Sequence, residues 1–491
     1  MIHKKIEVVV SKQKEKKLVD LFEKWSGKTA QRIIALPRSG SDREYYRIVG
    51  VDQKAIAAYN PDKKENEAFV SFSRHFCSKN LPVPEIYAVR EENDAYLLQD
   101  LGDTTLYSFL LEQKINNDFP DTLVVTYKKV LSWLVKFQIK GGKGLDFTKC
   151  YPRDGFDLQS MKWDMHYFKY YFLKLAKIPF NEQLLEDDFE TFANFLLEAN
   201  RDYFLYRDFQ SRNVMLIDNE PFFIDYQGGR KGALQYDLAS LLYDAKADIP
   251  ADTRKQLLLH YIEELQKEIE VDTGKFISYY WGYVYIRIMQ ALGAYGFRGF
   301  YERKEHFLQS IPFAINNLEY LLNNVELPVK LPALTDAFHR LTKSGKLRKI
   351  ADTGKQLTVR VNSFSYKRNI PVDESGHGGG FVFDCRAVEN PGRYKEFREL
   401  TGKDKKVKEF LDADKSMKRF LHDSFSLVDQ SVENYLVRGF KHLMISFGCT
   451  GGRHRSVYAA EKLIQYLKEK YNVRVTLRHR EQEFLEITGN Q

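Results

Sequence analysis

The sequence predicts an α+β domain of two lobes, the first small and sheet-rich and the second larger and helical, followed by a separate α/β domain. Three observations carry this expectation. At 491 residues the chain is long enough for about three units of structure of roughly 150 residues each. Short β-rich runs crowd the first hundred residues, whereas apolar residues recur at three-to-four spacing from Leu101 to about Leu327. Strand and helix patterns alternate again from about Ala351. The expected divisions are therefore residues 1–100 and 101–327 for the two lobes, 328–352 for a linker and 353–491 for the last domain.

The elements follow in order. Tyr45 to Val49 and Lys54 to Tyr59 read as strands, Glu65 to Phe76 as a helix and Ala95 to Gln99 as a further strand. Leu123 to Phe137, Leu184 to Leu197 and Phe307 to Leu322 carry the helical stripe of the second lobe. Pro328 and Pro332 then open a basic helical run, ALTDAFHRLTKSGKLRKI, which reads as a linker helix between independent domains. No repeat of fixed period is present.

Composition narrows the class. Hydrophobic residues make up 43% and charged residues 29%, values of a globular enzyme rather than a disordered or collagenous chain. No uninterrupted apolar stretch approaches the roughly 18 to 20 residues that span a bilayer, and the apolar run near the start is too short for a secretory signal. The expectation is a cytoplasmic protein with no membrane partner. Cys77, Cys150, Cys385 and Cys449 are far apart with no CxxC pair, so they are expected as reduced thiols. From Thr353 onward, 25 Lys and Arg stand against 18 Asp and Glu, so nearly all of the +8 net charge is local to the last domain. That suits a phosphate, anion or RNA site, or a solvated surface.

Between Tyr203 and Gly229 stands YFLYRDFQSRNVMLIDNEPFFIDYQGG. An apolar run enters a polar loop with Asp208 and Asn213, and two short strands around the turn Asp218-Asn219-Glu220 end at Asp225. Phosphoryl transfer needs a carboxylate for the acceptor hydroxyl and hard oxygen ligands for Mg²⁺ on the phosphates of ATP. Loop, hairpin and terminal aspartate bring one base and two metal ligands to one place.

This segment resembles the aminoglycoside phosphotransferase and choline kinase branch of the protein-kinase-like fold, over roughly residues 15 to 325. The resemblance implies Asp208 as catalytic base, Asn213 and Asp225 as Mg²⁺ ligands, and Asp237 in QYDLASLL as a brace for the catalytic loop. Arg207 and Arg212 stand where they can neutralise phosphate charge or pin the loop. Within that branch, SGSDREYYRI from Ser39, KAIAAYNPD and LLQDLGDTTL are similar to bacterial kinases of the anomeric hydroxyl of N-acetylmuramate and N-acetylglucosamine. Family geometry implies that the loop with Ser39, Ser41, Asp42 and Arg43 covers the phosphates and that adenine meets backbone groups near Gln99 to Leu101. Trp163 and Asp164 are then candidate sugar contacts, although the rings of MKWDMHYFKYYF also fit an amphipathic core stripe.

Two departures stand out. Tyr206 occupies the place of a family histidine two residues before the catalytic aspartate. The lysine expected mid-strand for the α- and β-phosphates is missing between Ala55 and Tyr59, so Lys54, Arg43 or Arg47 substitutes, or nucleotide is held differently. Glu65 or Glu67 is the helix carboxylate expected to pair with that cation.

In the last domain, KHLMISFGCTGGRHRSVYAAEKLIQYLK reads as an apolar strand, a glycine-containing basic loop and an amphipathic helix. Backbone N–H groups, the helix N-terminus and Arg453, His454 and Arg455 suit an anion. Cys449 to Ser456 also satisfies C-x5-R-S, the pattern of cysteine-dependent phosphatases. With SFSYKRNIP, FVFDCRAVENPGRY, LTGKD and RHRE, however, the domain resembles the C-terminal domain of the RNase adapter family RapZ over roughly residues 355 to 485. The resemblance implies a phosphosugar pocket built on Cys449, Thr450, Gly451, Gly452, Arg453, His454, Arg455 and Ser456. Asp384, Arg386, Thr401, His479 and Arg480 are further candidates, with RNA or a protein as a further partner. Gly392 stands where the family has a histidine, and the insert SGHGGG from Ser375 also differs.

The expected function is an ATP- and Mg²⁺-dependent kinase of an amino sugar joined to a phosphosugar-sensing domain. The alternative is a non-catalytic regulator that binds nucleotide and phosphosugar and contacts RNA or a protein.

Overall fold

The computed structural model describes residues 2–36, 43–114, 119–302, 304–348, 357–373, 379–438 and 440–482. They form two compact units, residues 1–344 and 345–491.

The first unit opens with helix α1 (Ile2–Ser26) and an antiparallel sheet of β1 (Arg32–Ala35), β2 (Glu44–Val49), β3 (Lys54–Tyr59), β4 (Ile86–Val89) and β5 (Ala95–Leu98) in the order β1-β2-β3-β5-β4. Strand alternation sorts the side chains to two faces. Tyr46, Ile48, Ala55, Ala57 and Leu97 pack with Leu18 and Phe22 of α1. On the other face Phe69 of α2 (Lys63–Ser78) stacks on Tyr96 with ring centroids 5.1 Å apart. Helix α2 starts where it does because Asp62 accepts the otherwise unpaired N–H groups of Lys64 and Glu65.

The helical lobe contains α3 (Leu106–Gln113), α4 (Asp121–Lys136), α5 (Leu158–Phe168), α6 (Glu182–Leu197), α7 (Leu234–Leu242), α8 (Ala251–Gln266), α9 (Thr273–Tyr295), α10 (Glu305–Leu308), α11 (Ile311–Asn324) and α12 (Pro332–Thr342). Two small ribbons are set among these helices. Strand β6 (Tyr203–Leu205) pairs with β9 (Arg230–Gly232), and β7 (Val214–Ile217) pairs with β8 (Glu220–Phe223). The latter hairpin turns on Asp218 and Asn219, both at positive φ, 50° and 63°. That is the left-handed pair a two-residue hairpin requires.

The stretch expected as a linker is corrected by α12. Its Leu334, Phe338 and Leu341 are buried, the Leu334 N–H donates to Asp188 at 2.8 Å, and Phe338 stacks with Tyr285. Pro332 marks the first turn of a packed helix of the first unit, because proline there forfeits no hydrogen bond.

The second unit is a parallel sheet of β10 (Thr358–Ser365), β11 (Gly380–Asp384), β12 (His442–Cys449) and β13 (Arg474–His479) in the order β11-β12-β10-β13. Helices α13 (Lys405–Ala413) and α14 (Lys415–Arg438) connect β11 to β12, and α15 (Arg455–Lys470) connects β12 to β13. Val359, Val361, Ile445 and Phe447 of the sheet share a core with Val428, Val432, Ala459 and Leu463 of α14 and α15. The chain leaves β10 toward one edge and β12 toward the other. Their carboxyl ends are therefore a switch point, where loops diverge and leave a crevice. Among the described residues of both units no helix is long and apolar enough to cross a membrane.

Candidate functional site

Asp208 sits in the loop after β6, and that loop is held from beneath. Asp237 of α7 is fully buried and accepts the backbone N–H groups of Tyr206 at 2.7 Å and Arg207 at 2.9 Å, with Gln138 adding a third bond at 3.3 Å. Burial lifts the Asp237 carboxyl to about 7, while these N–H donors pull it the other way. Tyr206 is buried as well; its hydroxyl donates to the Ile224 carbonyl at 2.6 Å and its ring meets Phe209 and Phe137 edge-on. The tyrosine at the place of the family histidine is thus a packing and pinning element.

Asn213 joins the loop to the end of the hairpin. Its Nδ2 donates to the Asp208 carbonyl at 2.8 Å and to Asp225 Oδ2 at 3.1 Å, which leaves Oδ1 as an acceptor. Asp225 is held at φ 71° and Arg207 at φ 80°, left-handed conformations that cost a non-glycine residue free energy. Burial and the charge of Asp208 push the Asp225 carboxyl up, against a hydrogen bond from Gln227 Nε2 at 2.8 Å and the charges of Arg43 and Arg212. Gln227 was invisible as a site residue in the sequence. The only available signal was a polar side chain two positions past the hairpin's last aspartate.

The arginines separate. Arg207 is committed to Asp164 through two bonds of 2.8 and 2.6 Å and to the Tyr236 hydroxyl at 2.5 Å, so it pins the loop to α5. Asp164, expected as a sugar contact, is correspondingly buried in that ion pair. Trp163 is 47% exposed, with the Arg153 guanidinium 5.5 Å from its ring, so it is not part of the core stripe. Arg212 is exposed beside the loop.

In the sheet-rich lobe Ser39, Ser41 and Asp42 lie outside the described residues. Arg43 is 2% exposed, and its Nη2 lies 3.1 Å from Glu65 Oε1. Glu65 also accepts from Asn60 at 2.6 Å and from Gln227 at 3.5 Å, so a polar chain runs from Arg43 through Glu65 and Gln227 to Asp225. Glu67 does not take part: it is exposed and pairs with Lys149. Arg47 and Lys54 both meet Asp100, at 2.9 and 3.5 Å, and Arg47 also binds Asp103. Of the stretch expected to meet adenine, Gln99 donates its backbone N–H to the Glu85 carbonyl at 2.9 Å, and Leu101 is buried.

In the second unit the carboxyl ends of β10 and β12 are tied across the crevice. Ser365 Oγ donates to the Thr450 carbonyl at 2.7 Å and the Tyr366 N–H to the Cys449 carbonyl at 3.1 Å. The loop that follows needs glycine at Gly452, which has φ 65° and stands against the Ser365 backbone. Gly402, beside Thr401, brings its N–H to the Arg453 carbonyl at 2.9 Å, and a Cβ there would lie 2.3 Å from the His454 carbonyl oxygen. Gly451 and Thr450 line the same turn, and no side chain caps the start of α15.

The cations of this loop point to different tasks than expected. Arg455 is 4% exposed and donates to the carbonyls of Arg386 and Val388 at 3.1 and 2.8 Å, so it is a buried clasp. His454 donates to the Phe397 carbonyl at 2.8 Å, and burial holds its imidazole below the ordinary histidine range. Arg453 bonds the Glu399 carbonyl at 2.7 Å, Arg386 is paired with Asp384, Thr401 with Asp404, and Arg480 with the Asn369 carbonyl. Cys449 is buried with Ser456 Oγ 3.1 Å from its sulfur. A phosphatase built on C-x5-R requires that arginine on the phosphate, and here it holds main chain. His479 lies between Ser363 at 2.8 Å and Glu461 at 3.1 Å, but Ser363 is fully buried, so the trio braces β13 instead of presenting a nucleophile. Of the SGHGGG insert, residues 375–378 lie outside the described residues.

Comparison with known proteins agrees with the two-part fold. Residues 33–270 match the phosphotransferase enzyme family and residues 357–483 match the RapZ C-terminal domain. The fold of the first region is protein-kinase-like, of aminoglycoside phosphotransferase type, and the second is a separate RapZ-like domain. A nucleotide-binding protein of Fervidobacterium nodosum is 40% identical over 129 residues, covering 26% of this chain and 44% of that protein. One of Bacillus licheniformis is 38% identical over 128 residues, covering 26% and 42%. The chain thus spans under half the length of these curated relatives. Among solved structures, a choline kinase from Cryptosporidium parvum covers 63% of this chain and 93% of its own at 11% identity and TM-score 0.43.

Proposed function

We propose that the first unit is an ATP- and Mg²⁺-dependent phosphotransferase acting on a hydroxyl of an amino sugar, of the N-acetylmuramate or N-acetylglucosamine type. The supporting observation is Asn213, whose two N–H bonds gather the Asp208 main chain and the Asp225 carboxylate into one unit. In this reading Asp208 accepts the proton of the acceptor hydroxyl. The freed oxygen forms its bond to the γ-phosphorus as the bond to the β-phosphate oxygen breaks, and ADP leaves with that electron pair. Asp237 and Arg207 hold Asp208 in place through the backbone and through α5.

A divalent cation fits the donors present. Asn213 Oδ1 and the Asp225 carboxylate are hard oxygens, and two carboxylates in a largely buried site leave negative charge to be offset. Bound there, Mg²⁺ supplies charge neutralisation on the transferring phosphates.

The second unit is read as a phosphosugar-binding domain, with the anion on the N–H groups of Thr450 to Arg453 at the switch point and the start of α15. A phosphosugar suits it better than RNA because Arg386, Arg453, Arg455 and Arg480 are each tied to neighbouring groups rather than arrayed along a surface. Cys77, Cys150, Cys385 and Cys449 are free thiols, in keeping with work in the reducing, ATP-rich cytoplasm. On the other side, β3 carries no lysine between Ala55 and Tyr59, which favours a lobe that holds nucleotide without transferring phosphate. A screen of amino sugars for ATP consumption, with phosphorus NMR of the product, tests the two readings. A new phosphate ester establishes transfer, and ATP binding without turnover on any amino sugar establishes the regulator.

A further inference from the structure

We infer that Arg43 is the cation that meets the α- and β-phosphates of the nucleotide, entering from the loop side to fill the place that a strand lysine would otherwise take. The inference rests on the phosphotransferase reading and adds to it the residue that compensates for its main departure.

The sheet register locates the position. Tyr45, Ala58 and Tyr96 are directly paired across β2, β3 and β5. Residues opposite one another on neighbouring strands share a face, so these three form one row. That row faces α2, since Phe69 stacks on Tyr96. The Arg43 guanidinium lies over it: Nη1 donates to the Tyr45 hydroxyl at 3.2 Å, and the guanidinium carbon is 5.8 Å from the centre of the Phe69 ring. Ala58, fully buried at the centre of the row, ends at its Cβ and brings no cation of its own to this face.

The guanidinium is held but not satisfied. Nη2 is within ion-pair distance of Glu65 without being aligned as a hydrogen bond, and neither Nε nor Nη2 has a hydrogen-bond acceptor among the described residues. A buried charged group with unused donors is unfavourable unless a partner arrives. A polyphosphate supplies acceptors of the right charge, and a planar guanidinium engages such oxygens well. The alternatives are otherwise engaged. Arg47 binds Asp100 and Asp103, and Lys54 is 60% exposed beside Asp100. Arg43 is also linked through Glu65 and Gln227 to Asp225, so the cation and the hairpin aspartate share one network.

The test is titration calorimetry on the full chain with Mg·ATP and, separately, with adenosine. Arg43→Met should weaken Mg·ATP by about tenfold or more while leaving adenosine affinity unchanged, because only the phosphates lose a charged partner. The double variant Arg43→Met/Ala58→Lys should regain much of the Mg·ATP affinity, since a lysine at Ala58, on the row of Tyr45 and Tyr96, returns a cation to the same face. Equal Mg·ATP affinity in Arg43→Met and wild type overturns the inference. So does parallel loss of adenosine and ATP, which marks a structural role, or a double variant no tighter than the single one. Wild type that binds adenosine and Mg·ATP equally, or neither, overturns the phosphotransferase reading itself.

Discussion

Arg207 and Asp164 form a two-pronged ion pair, with N–O distances of 2.8 and 2.6 Å, between the residue next to Asp208 and the middle of α5. The side chains are 16% and 8% exposed, so removing one partner strands the other away from water. Arg207→Ala should therefore destabilise the protein by about 3–5 kcal/mol, and Arg207→Met/Asp164→Leu should recover much of that loss. Urea unfolding of the three proteins checks this. A neutral Arg207→Ala would show that the pair contributes nothing to the loop.

Asp208→Asn should lower turnover of the amino sugar identified by the screen by about two orders of magnitude or more, with Mg·ATP affinity retained, because the carboxylate acts on the acceptor proton. Steady-state kinetics and calorimetry on one preparation separate the two effects. Near-normal turnover would remove Asp208 from the chemistry.

Asp225→Ala acts on the other half of the reaction. ATP affinity in wild type should rise when Mg²⁺ is added, and in the variant it should be the same with and without the ion. Unchanged Mg²⁺ dependence would exclude Asp225 as a ligand.

Asp237 makes stability depend on pH. Its folded-state carboxyl titrates at about 7, above the unfolded value, so the fold binds a proton that the unfolded chain has released between about pH 4 and 7. Stability from this group is complete below pH 4 and declines as pH rises toward 7. In urea titrations the advantage of wild type over Asp237→Asn should be largest at pH 4 and smaller at pH 7. An advantage that grows with pH over that window would show that the N–H donors outweigh burial.

In the second unit, Arg453→Ala should leave most of the glucosamine-6-phosphate affinity of the full chain, because the Arg453 guanidinium is held by the Glu399 carbonyl and the anion is assigned to backbone N–H groups. Arg455→Ala should destabilise that unit by about 2–4 kcal/mol, because it frees two carbonyls from a buried guanidinium. Cys449→Ser should keep most of the ligand affinity, and neither it nor wild type should release phosphate from an aryl phosphate. Thiol-dependent hydrolysis would restore the phosphatase reading.

What could be read from the sequence was what is local in it. Asp208, Asn213 and Asp225 fall within one loop and one hairpin, and their spacing alone brings them together. Arg43 could not be singled out, because the row of Tyr45, Ala58 and Tyr96 that it meets through the Tyr45 hydroxyl depends on pairing among strands far apart in sequence. Glu65 and Glu67 differ by two residues, about 200° around a helix, so only the facing of α2 separates them. Arg207 and Arg455 looked like phosphate cations because their partners, Asp164 and the carbonyls of Arg386 and Val388, lie 43 to 69 positions away. Pro332 was read as punctuation, although proline opens a helix as readily as it separates domains.

The left-handed backbone at Asp225 sets two tests that different selections would apply to the same codon. A saturation library at this position sorted only for folded protein should enrich asparagine and glycine, the residues that adopt φ near 71° most easily, and deplete valine and isoleucine. The same library sorted for phosphoryl transfer should retain aspartate alone. Subtracting one enrichment map from the other isolates the chemical demand from the conformational one at a single residue.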